Sequence, residues 1–177
     1  MYNRRNSLMN KYMPLPKGVI IAGLDEAGRG PWAGPVVAAA VILPPRIHLP
    51  NLGDSKKLSS TQREQLYEKI IQKAHFGIGK VSNKEVDRLG LIKATNKAFA
   101  RAVKALPVKP EHLLIDGRDR FTFSIPFTSI IRGDQKIRAI MAASIIAKVT
   151  RDRIMIKYAQ QYPKYQFQRH KGYGTKH

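Results

Sequence analysis

Residues 18–43, GVIIAGLDEAGRGPWAGPVVAAAVIL, decide how this chain is read. A short apolar run at 19–22 ends almost at once in two adjacent acids, Asp25 and Glu26. A glycine-rich turn follows through Gly28, Arg29, Gly30 and Pro31, then Gly34 and Pro35, and a second apolar run occupies 36–43. The pattern predicts a buried strand that carries two carboxylates to its end, turns tightly and feeds a second buried strand. Their connection is too short for a parallel crossover, so the pair is expected to be antiparallel. Two carboxylates beside an apolar core repel each other unless a cation or a proton intervenes.

Outward from this stretch, residues 1–17 are basic, free of acids and closed by Pro14 and Pro16, and are expected to form a flexible arm. The remainder, 18–177, is expected to be one domain. Ser59 or Ser60 is placed to cap a helix from about Thr61 to Ala74, with Glu64 completing a capping box from Thr61. Residues 75–82 alternate as a third strand, and Asn83 is expected to cap a helical region broken near Gly90 and stopped by Pro107. Residues 112–115 form a short buried strand ending in Asp116-Gly117, and 121–131 have further β-character interrupted by Pro126. A long helical pattern, 137–162, ends before Pro163. The order predicts an α/β fold with a mixed central sheet flanked by helices.

With 177 residues the chain can bury a core without staples. It holds 32 Lys and Arg against 12 Asp and Glu, a net charge of +20, which favours polyanionic partners, nucleic acid before anionic membrane. Cysteine is absent, which excludes disulfides, thiolate metal sites and cysteine nucleophiles and suits a cytoplasmic protein. No signal peptide is read at the N-terminus, and the apolar runs fall short of the ~18 residues of a membrane span.

Asp25, Glu26 and Asp116 stand where apolar strands end, and Asp134 follows a strand-like run at the start of a helix. If the first and fourth strands are neighbours, the four converge at one edge of the sheet. Carboxylate oxygens suit Mg²⁺ or Mn²⁺, and two such ions support phosphodiester hydrolysis. Read singly, Asp116-Gly117 is equally a turn and Asp134 equally a helix N-cap. Asp152, among arginines within the last long helix, reads as an ion-pair partner. Neither a dinucleotide fingerprint nor a P-loop fits the glycine spacing, which leaves a loop able to approach a ligand closely, with Arg29 available for a phosphate. Lys56 is placed to contact phosphate, and is equally a solvated loop residue. The tail interleaves basic residues with Tyr162, Tyr165, Phe167 and Tyr173, a surface suited to a nucleic-acid backbone, with Phe167 the first of these expected in the core.

GLDEAGRGPWAGPVVAAAVIL, DSKKLS, LLIDG, RGD, AASIIAKVTRD and HKGYGT together closely resemble bacterial ribonuclease HII, in order and approximate spacing, over residues 18–175. The resemblance implies a ribonuclease H-like fold. It also implies an endonuclease that cuts the RNA strand of RNA–DNA hybrids and 5′ of single ribonucleotides embedded in duplex DNA, leaving 3′-hydroxyl and 5′-phosphate ends. Two Mn²⁺ or Mg²⁺ ions would be held by Asp25, Glu26, Asp116 and Asp134. Gly28, Arg29 and Gly30 would read the 2′-hydroxyl at the junction, and Tyr173 would pack on the adjacent deoxyribose; a 2′-hydroxyl is what distinguishes RNA from DNA at one position. A monomer is expected. Family members continue past HKGYGT into another helical segment, so the C-terminal end reads as shortened, and a non-catalytic nucleic-acid-binding relative is the alternative.

Overall fold

The computed structural model describes residues 18–53, 55, 58–118 and 121–175. The arm read at 1–17 and the phosphate contact read at Lys56 lie outside the described residues. Strands β1 (Ile21–Ala27), β2 (Val36–Ile42), β3 (His75–Val81), β4 (His112–Asp116) and β5 (Phe127–Ile130) form one sheet in the order β3-β2-β1-β4-β5. β1 and β2 pair antiparallel, with Asp25 opposite Ala39, as their short connection requires. β4 lies parallel along the other side of β1, and β5 parallel along β4. The sheet is therefore mixed.

Helices cover both faces. α1 (Ser60–Lys73) and α4 (Arg138–Gln161) pack on one; α2 (Asn83–Leu89) and α3 (Leu91–Lys104) lie at the other. Every residue of β2 is buried, the signature of a strand covered on both sides. Along it Ala38 and Ala40 face α3, while Ala39 and Val41 face α1 and α4. Small residues set how close the helices come. A methyl at Gly79 would run into the backbone of Ala98 in α3, and one at Gly23 into the backbone of Ala139 and Ile140 in α4. The Gly23 approach lays the start of α4 directly on β1, two residues before Asp25. Among the described residues no helix is long and apolar enough to cross a membrane.

Several local expectations are corrected. Ser59, extended at φ −65° and ψ 163°, caps α1 as expected, but the capping box joins it to Gln62 and not Thr61 to Glu64; the Glu64 carboxylate instead accepts from Arg153 at 2.5 Å. Ser82, not Asn83, caps α2, in a reciprocal box with Glu85. The β-character of 121–131 shrinks to β5. Phe121 turns instead to Phe99, edge-on at 5.4 Å, and Pro126 has no N–H to give a ladder. Phe167 is half-buried outside the core, its ring stacked on Tyr165 at 5.3 Å.

Candidate active site

The acids collect where β1 and β4 end. The parallel register pairs Leu24 with Ile115, and both side chains enter the core under α3. The next residue on each strand is an acid, so Asp25 and Asp116 stand at the same level and turn to the opposite face, towards α4. Asp25 is buried; the Asp116 carboxylate accepts from the N–H of Gly133 at 2.6 Å. That bond holds the single 3₁₀ turn Gly133–Gln135 against the end of β4, and Asp134, itself 3% exposed, lies in this turn. The N-cap of α4 is Ile137, so Asp134 is not spent as that helix's cap.

Burial pushes the Asp25 carboxyl well above its ordinary range, and the negative charges of Glu26 and Asp116 push it the same way. Hydrogen bonds from Ser144 and from the Glu26 N–H, the latter 2.7 Å long, oppose the shift without cancelling it. Ser144 sits in α4 and pairs with Ser55 at 2.8 Å. With the Ser144 proton directed at the carboxylate, Ser55 is the donor in that pair. Arg63 fixes Ser55 in turn by donating to its carbonyl at 3.0 Å, so Ser55 is tied to the acid site. Glu26 is half-buried, and the Arg29 guanidinium lies 3.5 Å from its carboxylate, so Arg29 is turned towards the acids.

A divalent cation fits this donor set. The donors on offer are hard carboxylate oxygens, partly buried, with one of them disfavoured as an anion by burial and by its like-charged neighbours. Among the described residues no three metal-ligating side chains already enclose a cation-sized point, and repelling carboxylates settle apart.

Beside the acids, the Gly28–Gly34 turn meets the chain's far end. Gly28 and Gly34 have φ of +111° and +98°, conformations that favour glycine. The N–H groups of Trp32 and Ala33 donate to the Gly172 carbonyl at 2.9 and 3.3 Å. A methyl at Gly30 would stand 3.5 Å from the Tyr173 ring, so Gly30 and Tyr173 are neighbours. The clamp between the two segments is Arg151, 1% exposed on α4. It donates to Ala33 O at 2.8 Å, Lys171 O at 2.9 Å and Pro35 O at 3.0 Å. Burial lowers its pKa, opposed by Tyr173 and Asp152. One turn back, Lys148 pairs with Asp152 at 2.8 Å, the ion pair anticipated there, and lies 5.7 Å from the centre of the Tyr173 ring.

Sequence reasoning missed Ser144, Ser55 and Arg151. The signal was available for two of them: Ser144 and Arg151 lie in a helix buried on all sides through its middle, where a polar side chain must have partners.

A mixed sheet with acids gathered at the ends of two central strands is a ribonuclease H-like fold. The ribonuclease H2 of Pyrococcus horikoshii matches with a TM-score of 0.75 and 31% identity over 88% of this chain and 81% of that one. The ribonuclease HII of Archaeoglobus fulgidus, solved in complex with PCNA, matches with a TM-score of 0.75 and 29% identity over 89% and 83%. At the level of sequence, the model of the family described as Ribonuclease HII matches residues 22–177. Ribonuclease HII of Coxiella burnetii is 53% identical over 162 residues, 91% of this chain and 80% of that protein. The chain belongs to the ribonuclease HII family and is an endoribonuclease, a phosphodiester hydrolase.

Proposed function

We propose that this chain cuts the RNA strand of RNA–DNA hybrids and incises duplex DNA 5′ of single embedded ribonucleotides, leaving 3′-hydroxyl and 5′-phosphate ends. The observation that carries the reading is the level placement of Asp25 and Asp116 on parallel neighbours, with the turn of Asp134 bonded to Asp116. Asp25, Glu26, Asp116 and Asp134 would hold two Mn²⁺ or Mg²⁺ ions, whose chemistry when bound is to activate water and stabilise the leaving 3′-oxygen. The chain's own residues prepare that site. Ser144 and the Glu26 N–H favour the ionised form of Asp25 in a buried setting, and the Gly133 N–H orients Asp116. Gly28, Arg29 and Gly30 select the position of cutting at the 2′-hydroxyl, and Tyr173 receives the neighbouring deoxyribose. Lys56 and the basic surface hold phosphates, at a net charge of +20. On this reading residues 18–177 act as one catalytic domain preceded by a basic arm, as a monomer, in the cytoplasm.

The test is a labelled duplex containing one ribonucleotide, incubated with Mn²⁺ or Mg²⁺, with EDTA and all-DNA controls. Metal-dependent cutting 5′ of the ribonucleotide, lost in Asp116→Asn, is expected. Binding without cutting at every metal concentration, or near-normal turnover by Asp116→Asn, would refute it.

A further inference from the structure

Trp32 is the chain's only tryptophan and is 89% exposed, although it sits in the same turn as Gly28, Arg29 and Gly30. A large indole is rarely left in water, because its apolar area is the most costly to expose. Here the exposure is built in. Hydrogen bonds from the N–H groups of Trp32 and Ala33 to Gly172 O fix the backbone at Trp32, and Arg151 holds the neighbouring carbonyl of Ala33. The ring itself lies against Gly174, where a methyl would come within 3.1–3.3 Å of three indole carbons. The adjoining residue, Tyr173, is 46% exposed and borders Gly30. Two aromatic rings thus stand exposed on one rigid pair of segments, next to the acids, on a chain of net charge +20.

We propose that Trp32 is a substrate-binding residue: its open ring face packs on a sugar face of the duplex flanking the cleavage position. This inference rests on the reading of the chain as a ribonucleotide-directed nuclease and adds a contact to it. A fixed indole suits a nucleic-acid duplex better than an extended protein partner, because the sugars offer faces to pack on while the basic surface supplies the backbone attraction. The contact carries no charge, so it adds affinity without adding to the salt dependence.

Because Trp32 is the only tryptophan, its fluorescence reports this one position. The full chain is titrated in EDTA, which prevents cutting, with a duplex containing one ribonucleotide; binding is followed in parallel by the anisotropy of a dye on the duplex. Saturation is expected to quench the Trp32 emission. Trp32→Ala is expected to weaken binding roughly tenfold, with an unchanged salt slope, and Trp32→Phe to retain most of the affinity. At 89% exposure neither variant threatens the fold. Wild-type binding with unaltered emission, or equal affinity of Trp32→Ala, would overturn the proposal and leave the indole to a protein contact. A wild-type chain that neither binds nor cuts the duplex would overturn it together with the function it rests on; cutting in Mn²⁺ by a Trp32→Ala chain of unchanged affinity would overturn the contact alone.

Discussion

Replacing Arg151 by Met keeps the aliphatic stem and removes every donor. In the native chain the guanidinium, 1% exposed, serves three carbonyls at 2.8, 2.9 and 3.0 Å: Ala33, Lys171 and Pro35. A buried carbonyl left unpaired costs about 1–3 kcal/mol. Three full penalties do not follow, because Ala33 and Lys171 are half-buried and water reaches them once the segments separate, whereas Pro35 is buried. Removing the charge also removes its desolvation cost. The net expectation is a loss of about 2–4 kcal/mol. At about 2–4 °C of Tm per kcal/mol for a chain of this size, that is a fall of roughly 5–15 °C, read by circular dichroism. Arg151→Lys should lose most of the same amount, since one ammonium cannot span three carbonyls in a fixed fork. The functional consequence is specific. The turn of Gly28 to Gly30 and the Tyr173 segment lose their common anchor, so at a temperature well below both Tm values the preference for a single ribonucleotide over an all-RNA hybrid strand should narrow. A Tm within about 2 °C of wild type, with that preference intact, would refute the role of Arg151 as the clamp.

Asp25→Asn removes a buried carboxylate whose pKa is raised first by burial and then by Glu26 and Asp116. For a raised carboxyl the stabilising contribution is complete below the unfolded-state pKa and is lost as pH rises through the folded-state value. In EDTA the variant should therefore match wild type in acid and exceed it near neutrality by on the order of 1 kcal/mol, while losing metal-dependent cutting; equal melting curves at neutral pH would refute the repulsion. Gly133→Ala would set a methyl 2.6 Å from Ile140 Cδ1 and 3.3 Å from the Asp116 carboxylate. Displacing this turn should cost about 1–3 kcal/mol and lower cutting by more than the fraction unfolded explains; unchanged turnover would show that the position of Asp134 is not critical.

The sequence by itself determined what neighbours along the chain can settle. Asp25 and Glu26 follow an apolar run, the connection to β2 admits only an antiparallel return, and each strand's alternation or full burial is written in its side chains. Helix starts were legible to within a residue or two: Ser59 is the cap its position suggested, whereas Ser82 rather than Asn83 caps α2, because the cap belongs to the residue whose backbone is still extended. Tertiary structure decided everything that depends on strand order. Asp116 meets Asp25 only because β4 docks on β1 with Leu24 opposite Ile115, a pairing across 91 residues that no local pattern encodes. Ser144 reaches Asp25 because Gly23 lets α4 settle on the strand. Arg151 takes its role because the carbonyls of two distant segments converge on it. Local propensity is carried by side chains a few positions apart, whereas the site is assembled by packing elements whose separation in sequence leaves no periodic trace.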